Sequence, residues 1–371
     1  MQVSASAHTV VGSQDGATQW PIEGLRGLAA FMVMWWHFRH WVTEVRGVDA
    51  FGYTGVDLFF VLSGFVFAPY VFGKPLALGP FYVRRVLRIY PLYLVSLLIY
   101  VVLRQLQGAE PWRYFWQHVL MLHTTVSQEM AAYYNGAYWS LPVEVEFYAL
   151  LPLLACLVGR RRHWFGVMLI GAVVLHLALS RWALPGQAPM PMVLANVHWP
   201  GLWGEFLLGC LAWRVGRLPV AGRWVPWLLG AAGALWLSAA MVWVAVGDSG
   251  VLAHPLLRGN MGYWAATAYA LLMCAVSARA AEVNSAASNA TTYKLWLARL
   301  SMLGGQLSYG VYLLHNAGQE VSGMLWPGLG GWPRVWAAAG LTVTAAWVLH
   351  RAVEAPARAW GRGWMPTVAR K

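Results

Sequence analysis

The chain has 371 residues, of which 59% are hydrophobic and only 11% are charged. A typical soluble domain is about a quarter charged, so this composition excludes an ordinary soluble enzyme, a disordered protein and a disulfide scaffold. The 26 Lys and Arg outnumber the 14 Asp and Glu, an excess that we assign to the cytoplasmic loops of a membrane protein rather than to nucleic-acid binding. The three cysteines stand apart in apolar runs and form no zinc or disulfide pattern.

Ten apolar stretches predict membrane-crossing helices, for which about 20 residues are needed. They cover residues 22–42, 55–73, 89–104, 134–158, 164–180, 200–214, 224–247, 259–277, 303–319 and 333–352. We divide the chain into a polar lead-in (1–21), a membrane domain (22–360) and a basic tail (361–371). The aromatic stretch 112–126 is too short to cross and is interpreted as interfacial or re-entrant.

The basic residues divide unevenly between the two sides of these predicted spans. With a cytoplasmic N-terminus, 18 of them fall in inner loops and the tail, 7 fall in outer loops, and Arg26 lies inside the first span. Positive charge is enriched on the cytoplasmic side of membrane proteins. The sequence therefore predicts an all-α polytopic protein of about ten helices with both termini in the cytoplasm.

The first span contains two ionisable residues, Arg26 and His37. Eleven residues of α-helix rise about 16 Å and complete almost three whole turns, so both side chains share one face. An arginine at the mouth and an imidazole deep in the membrane suggest a reaction channel. A snorkelling arginine and a structural histidine are the alternative.

A carboxylate and an arginine cluster follow. Asp57 stands at the start of the second span, where it either interacts with the helix dipole or orients His37. Arg84, Arg85 and Arg88 are three and four residues apart, so on a helix they can converge. Their planar forks suit the phosphates of CoA, and anionic lipid headgroups are the alternative ligand.

Further ionisable residues lie near the ends of later spans. Glu144 and Glu146 are two residues apart and therefore point to different faces of the fourth span. Taken alone, His315 is predicted to be a structural histidine, and Glu205 to pair with a nearby arginine. No metal site is predicted, because His37 and His40 lack a third ligand.

Six motifs, in order along nearly the whole chain, resemble those of the acyltransferase-3 family of bacterial integral membrane acyltransferases. They are Arg26-x10-His37, GVDLFFVLSGF at 55–65, RRVLRIYP at 84–91, WSLPVEVEFY at 139–148, SYGVYLLH at 308–315 and EAPAR at 354–358. The resemblance implies an acyl-CoA donor, most often acetyl-CoA, on the cytoplasmic side of the inner membrane. It also implies an acceptor hydroxyl of a surface polysaccharide or lipid-linked sugar.

Carried onto this sequence, the resemblance makes His37 the catalytic histidine and Arg26 its motif partner. The arginines 84, 85 and 88 become the CoA contacts, and Glu144 the motif carboxylate. Candidate substrate contacts are Trp139, Ser140, Tyr309 and His315. We expect His37 to act as a general base, with Asp57 or Glu144 orienting it.

Several alternatives stay open from the sequence. The acceptor sugar could belong to a small molecule or a macrolide instead of a surface glycan. A transporter or flippase of lipid-linked glycans would suit ten spans and buried charges equally, and a scaffold for polymer export is a third possibility. The expected partners are acyl-CoA, a saccharide and membrane lipid, without nucleic acid.

Overall fold

The computed structural model describes residues 16–182, 197–254, 257, 259–285 and 292–363, and within these ranges the chain is helical without any strand. The helices are α1 (Gly16–Phe38), α2 (Gly55–Val71), α3 (Leu78–Leu106), α4 (Phe115–Val119), α5 (Gln128–Ala132), α6 (Ser140–Arg160), α7 (His163–Trp182), α8 (Trp199–Val215), α9 (Val225–Ala253), α10 (Met261–Ser285), α11 (Thr292–Leu325), α12 (Gly331–Leu349) and α13 (Ala355–Gly363). The predicted all-α class is confirmed. Helix α1 begins inside the segment 1–21 that the sequence analysis set apart as a polar lead-in.

Six helical stretches of the described residues are long and apolar enough to cross a membrane. They are Val48–Val71, Leu78–Leu106, Gly136–Arg160, His163–Arg181, Ala221–Gly247 and Met261–Arg279. Helices α1, α8, α11 and α12 occupy the other four predicted spans. The multi-pass architecture is thus supported, while the count of ten and the cytoplasmic position of the termini stay predictions.

Glycines allow two close helix crossings that position the centre of the protein. A Cβ atom on Gly27 of α1 would lie 2.9 Å from the backbone of Gly304 in α11. A Cβ on Gly64 of α2 would overlap the backbone of Phe206 in α8, and Gly209 meets the backbone of Val61 in the same way. Small residues let membrane helices approach to backbone contact, so α1 packs along α11 and α2 packs along α8.

The segment 107–135 forms a folded connection between α3 and α6 that contains the single turns α4 and α5. Its centre is a buried pair of stacked imidazoles, His118 and His123, whose ring centroids are 4.3 Å apart. The hydroxyl of Tyr93 donates a 2.9 Å hydrogen bond to the carbonyl oxygen of His118. These contacts attach the connection to the helices that flank the candidate site.

The return from α12 to α13 is a π-helical turn, His350–Glu354. It buries the carboxylate of Glu354 beside α3, where Glu354 forms an ion pair with Arg88. His350 Nδ1 lies 2.9 Å from the other carboxylate oxygen, and Arg358 lies 3.5 Å from the first. The contacts of Glu354 therefore join this turn to α3 and to α13.

Candidate active site

Two histidines from different helices meet at one end of the helical body. His37 lies in the last turn of α1, and His315 is buried in α11. The Nε2 atom of His315 is 3.2 Å from Nδ1 of His37. This contact exists because α1 packs along α11, and it shows that the two sequence motifs form one site.

The hydrogen bonds around this pair fix where the protons lie. His315 Nδ1 donates to the carbonyl oxygen of Tyr312 at 2.8 Å, so its Nε2 is the acceptor. His37 Nδ1 lies 2.9 Å from the carbonyl oxygen of Val33 and faces the His315 acceptor, so Nδ1 carries the proton. The Nε2 atom of His37 is then unprotonated, as a general base requires.

A cavity of about 920 Å³ lies over His37, and we call it the histidine cavity. Aromatic rings of Trp36, Tyr53, Trp139 and Trp243 form much of its wall. The other polar side chains that line it are Arg39, His40, Arg46 and Tyr312. Such amphipathic rings together with a few polar groups are typical of a ligand site.

A narrower cleft of about 80 Å³, the arginine cleft, lies on the side of His37 toward Arg26. Arg26, Arg85 and Arg88 line it together with Glu144. Tyr312 lines both the arginine cleft and the histidine cavity. The arginine cleft therefore adjoins the histidine cavity at Tyr312, about one helical turn before His315.

The arginine cleft widens into a third space of about 330 Å³, the basic vestibule, which shares Arg26 and Arg85 with it. Lys74 and Arg217 add two cations that the sequence analysis counted only as loop charges. Against these four basic residues the lining includes the carboxylate of Glu23, which lies 2.6 Å from Arg26. Positive charge therefore dominates in the basic vestibule. This is the environment that a polyanion requires.

The structure separates the three arginines of α3. Arg85 lines the arginine cleft and the basic vestibule, and its guanidinium lies 5.0 Å from the Phe67 ring centroid. Arg88 lines the cleft but is paired with Glu354. Arg84 lines neither space, and its Cα faces Gly361 of α13. The arginines that line the cleft are thus Arg26, Arg85 and Arg88, without Arg84.

The two buried carboxylates Asp57 and Glu205 face each other rather than a histidine or an arginine. A Cβ on Gly262 would lie 2.4 Å from Asp57 Oδ1 and 3.5 Å from Glu205 Oε1. In the described part of the chain no hydrogen bond joins Asp57 to His37. The sequence predicts an arginine beside Glu205, but the structure places Asp57 near it, behind the wall of the histidine cavity, and among the described residues neither Glu205 carboxylate oxygen has a hydrogen-bond partner.

Glu144 and Glu146 point to different faces of α6, as their spacing predicts. Glu144 accepts hydrogen bonds from Ser63, at 3.2 Å, and from Tyr148 inside the arginine cleft. Glu146 lies 2.6 Å from Nδ1 of His198 at the start of α8. Burial lowers the pKa of His198, but the hydrogen bond and charge of Glu146 outweigh it, so that pKa is raised. Glu146 therefore anchors α8, and Glu144 faces the site.

The remaining candidate substrate contacts divide between the two spaces. Trp139 lines the histidine cavity, whereas Ser140 and Tyr309 line the arginine cleft. The hydroxyls of Ser140 and Tyr312 are 2.6 Å apart. Tyr309 donates to the carbonyl oxygen of Ile89 at 2.8 Å, so its hydroxyl holds the cleft wall in place.

The fold and the site define a multi-pass helical membrane protein in which paired histidines lie beside an aromatic cavity that adjoins a basic cleft. A family model described as an acyltransferase domain matches residues 21–351. The chain belongs to the acyltransferase-3 family. The resemblance that the six motifs indicate is confirmed.

Curated relatives support the same class. The chain is 30% identical over 213 residues to the protein named acyltransferase MdmB of Streptomyces mycarofaciens, covering 51% of this chain and 55% of that one. It is 42% identical over 82 residues to protein 2 in the picA locus of Rhizobium radiobacter, covering 20% and 40%. The chain spans about half the length of the curated relatives it matches. No solved structure matches it.

Proposed function

We propose that this protein is a membrane-embedded O-acyltransferase that takes the acyl group of a cytoplasmic acyl-CoA, most simply acetyl-CoA. The acceptor is a sugar hydroxyl of a cell-surface polysaccharide or lipid-linked glycan, and the membrane is the bacterial inner membrane. The observation that carries this proposal is the position of Tyr312, which lines both the arginine cleft and the histidine cavity beside His315. We propose that the acceptor reaches His37 through the histidine cavity and that the donor approaches from the arginine cleft, on the other side of Tyr312.

The donor side consists of the basic vestibule and the arginine cleft. It suits CoA because positively charged side chains line both spaces. Phosphate oxygens pair best with arginine forks, and the basic vestibule offers Arg26, Lys74, Arg85 and Arg217. The narrow arginine cleft beyond it admits only a slender group. We assign the phosphates to the vestibule and the thioester arm to the cleft.

The acceptor side suits a sugar because the histidine cavity combines aromatic rings with polar groups. In the proposed reaction the acceptor oxygen bonds to the thioester carbonyl carbon as its proton passes to Nε2 of His37. The carbon–sulfur bond then breaks, and the thiolate of CoA leaves with the proton that His37 returns. His315 keeps the second nitrogen of His37 in the donor form throughout.

The test uses purified full-length protein in nanodiscs with labelled acetyl-CoA. We expect CoA to raise the melting temperature, and label to appear in free acetate or in added methyl glycosides. A transporter or a scaffold shows neither effect. Mass spectrometry of surface glycans with and without the gene product identifies the acceptor, through O-acetyl groups that disappear with the protein. A protein that neither binds CoA nor releases label would overturn the proposal.

A further inference from the structure

A second space opens beside the histidine cavity, and we call it the amide cleft. Its volume is about 190 Å³, and Gly136 lines both it and the histidine cavity. Asn316, the residue after His315 in α11, also lines it. The amide cleft is therefore a direct neighbour of the histidine cavity.

The amide cleft contains buried polar atoms that lack partners. Among the described residues neither Nε of Arg104 nor Oε1 of Gln319 has a hydrogen-bond partner, and both atoms are shielded from solvent. Buried polar groups are normally hydrogen-bonded, so each such atom points to a missing partner. One water molecule needs about 10–15 Å³ of such space, and the amide cleft is much larger.

The walls of the amide cleft are held rigidly and are close to neutral. Arg104 Nη2 lies 2.6 Å from both carboxylate oxygens of Glu320, and Gln107 donates to the same carboxylate at 2.8 Å. The amide nitrogen of Asn316 donates to Oδ1 of Asn135 at 2.7 Å, which leaves the Asn316 carbonyl oxygen as an acceptor. Because the charges of Arg104 and Glu320 cancel, the cleft favours a neutral ligand.

The side-chain groups of the lining that lack a protein partner include both a donor and acceptors. Arg104 Nε can donate, whereas Gln319 Oε1 and the Asn316 carbonyl oxygen can accept. A hydroxyl both donates and accepts, so neighbouring hydroxyls of a sugar ring match this pattern. We infer that the amide cleft binds a neutral sugar unit of the acceptor, adjacent to the unit whose hydroxyl reacts at His37. This inference rests on the proposed transfer to a sugar.

The test measures sugar binding in the absence of acyl-CoA, so that it does not depend on the donor. Full-length protein in nanodiscs is examined by saturation-transfer NMR with methyl glycosides of glucose, galactose, rhamnose and N-acetylglucosamine. The variants are Gln319→Leu, which removes the acceptor oxygen, and Gln319→Glu, which retains one. The matched control is Gln105→Leu, at an exposed position of α3 outside the cleft.

We expect at least one glycoside to receive saturation with the wild type, with Gln105→Leu and with Gln319→Glu. Gln319→Leu should weaken that binding about fivefold or more, with unchanged CoA stabilisation as evidence of folding. Equal binding by Gln319→Leu, or no glycoside signal with the wild type, would overturn the inference. Glycoside binding without any acyl transfer would support the inference about the amide cleft and overturn the proposed reaction.

Discussion

The Nε2 atom of His315 lies 3.2 Å from Nδ1 of His37, although 278 residues separate them in the chain. The contact assigns the Nδ1 proton of His37 and leaves its Nε2 facing the histidine cavity as a base. We propose that His315 positions His37 through this contact, beyond the structural role expected from the sequence. Among the described residues, no hydrogen bond joins Asp57 or Glu144 to His37.

The first prediction concerns the proposed base. His37→Gln keeps a polar side chain but lacks a titratable nitrogen, so acyl transfer should fall by about 10²–10⁴-fold. Affinity for CoA should stay near the wild-type value. The measurement is label transfer by monodisperse protein, and His163→Gln on the exposed start of α7 is the control. Substantial turnover by His37→Gln would show that another residue acts as the general base.

The second prediction concerns His315. His315→Phe retains an aromatic ring but removes one of the two acceptors of His37 Nδ1, so only the carbonyl oxygen of Val33 still orients the imidazole of His37. We expect kcat to fall about tenfold or more, with little change in the KM for acyl-CoA. The dependence of kcat on pH should shift as well, which a purely structural role would not cause. An unchanged pH profile together with reduced thermal stability would return His315 to the structural role.

The third prediction separates the arginines of α3 in donor binding. Arg85→Met should weaken CoA binding about tenfold or more, because a charge-assisted hydrogen bond contributes about 1.5–3 kcal/mol. Arg85→Lys should recover only part of this affinity, since lysine lacks the planar fork. Arg84→Met is the matched control, because Arg84 lines neither the cleft nor the vestibule. The measurement is calorimetric titration with CoA. Equal losses of CoA affinity for the Arg84 and Arg85 variants would support the joint phosphate contact that the sequence predicts.

The fourth prediction concerns the ion pair of Arg88 and Glu354. Arg88→Met leaves a buried carboxylate with weaker partners, and breaking such a pair typically costs about 3–5 kcal/mol. We expect the lower end of this range, because His350 and Arg358 still contact Glu354. Thermal unfolding of Arg88→Met, Glu354→Gln and the double variant measures the coupling. Strictly additive losses would show that the pair contributes nothing jointly.

The fifth prediction concerns acid stability and the stacked pair in the connection between α3 and α6. Burial lowers the pKa of His118 to about 4 and that of His123 to about 3. The unfolded chain takes up protons below about pH 6.5, whereas the folded chain does not. The stability from these residues is therefore complete above pH 6.5 and is lost as the pH falls toward 4 and then 3.

Melting temperatures between pH 8 and pH 4.5 measure this effect. The double variant His118→Phe/His123→Phe keeps the stacked rings but cannot titrate, so its melting temperature should depend less on pH. His163→Gln, at an exposed site, should keep the wild-type slope. Identical slopes for the double variant and the wild type would exclude this pair as the source of acid sensitivity.

The sequence predicts the parts of the site that depend on a single helix. Arg26 and His37 lie on the unbroken helix α1, and Glu144 and Glu146 diverge on α6, because helical periodicity alone decides both. The meeting of His37 with His315 was not predictable in this way, since it depends on which helices pack together. The separation of Arg84 from Arg85 likewise depends on the return of α13 along α3.

The alignment of the imidazole pair is set far from the pair itself. Gly27 stands ten residues before His37, and Gly304 stands eleven before His315, so both helices run about 15 Å in parallel from their backbone contact to the rings. A single methyl group at Gly27 would collide with the backbone of Gly304, so the two helices would have to separate at this crossing, and we expect the 3.2 Å contact between the rings to lengthen. Arg26 immediately precedes Gly27 in the chain. The proposed donor contact and the histidine pair are therefore both positioned by this one crossing of α1 and α11.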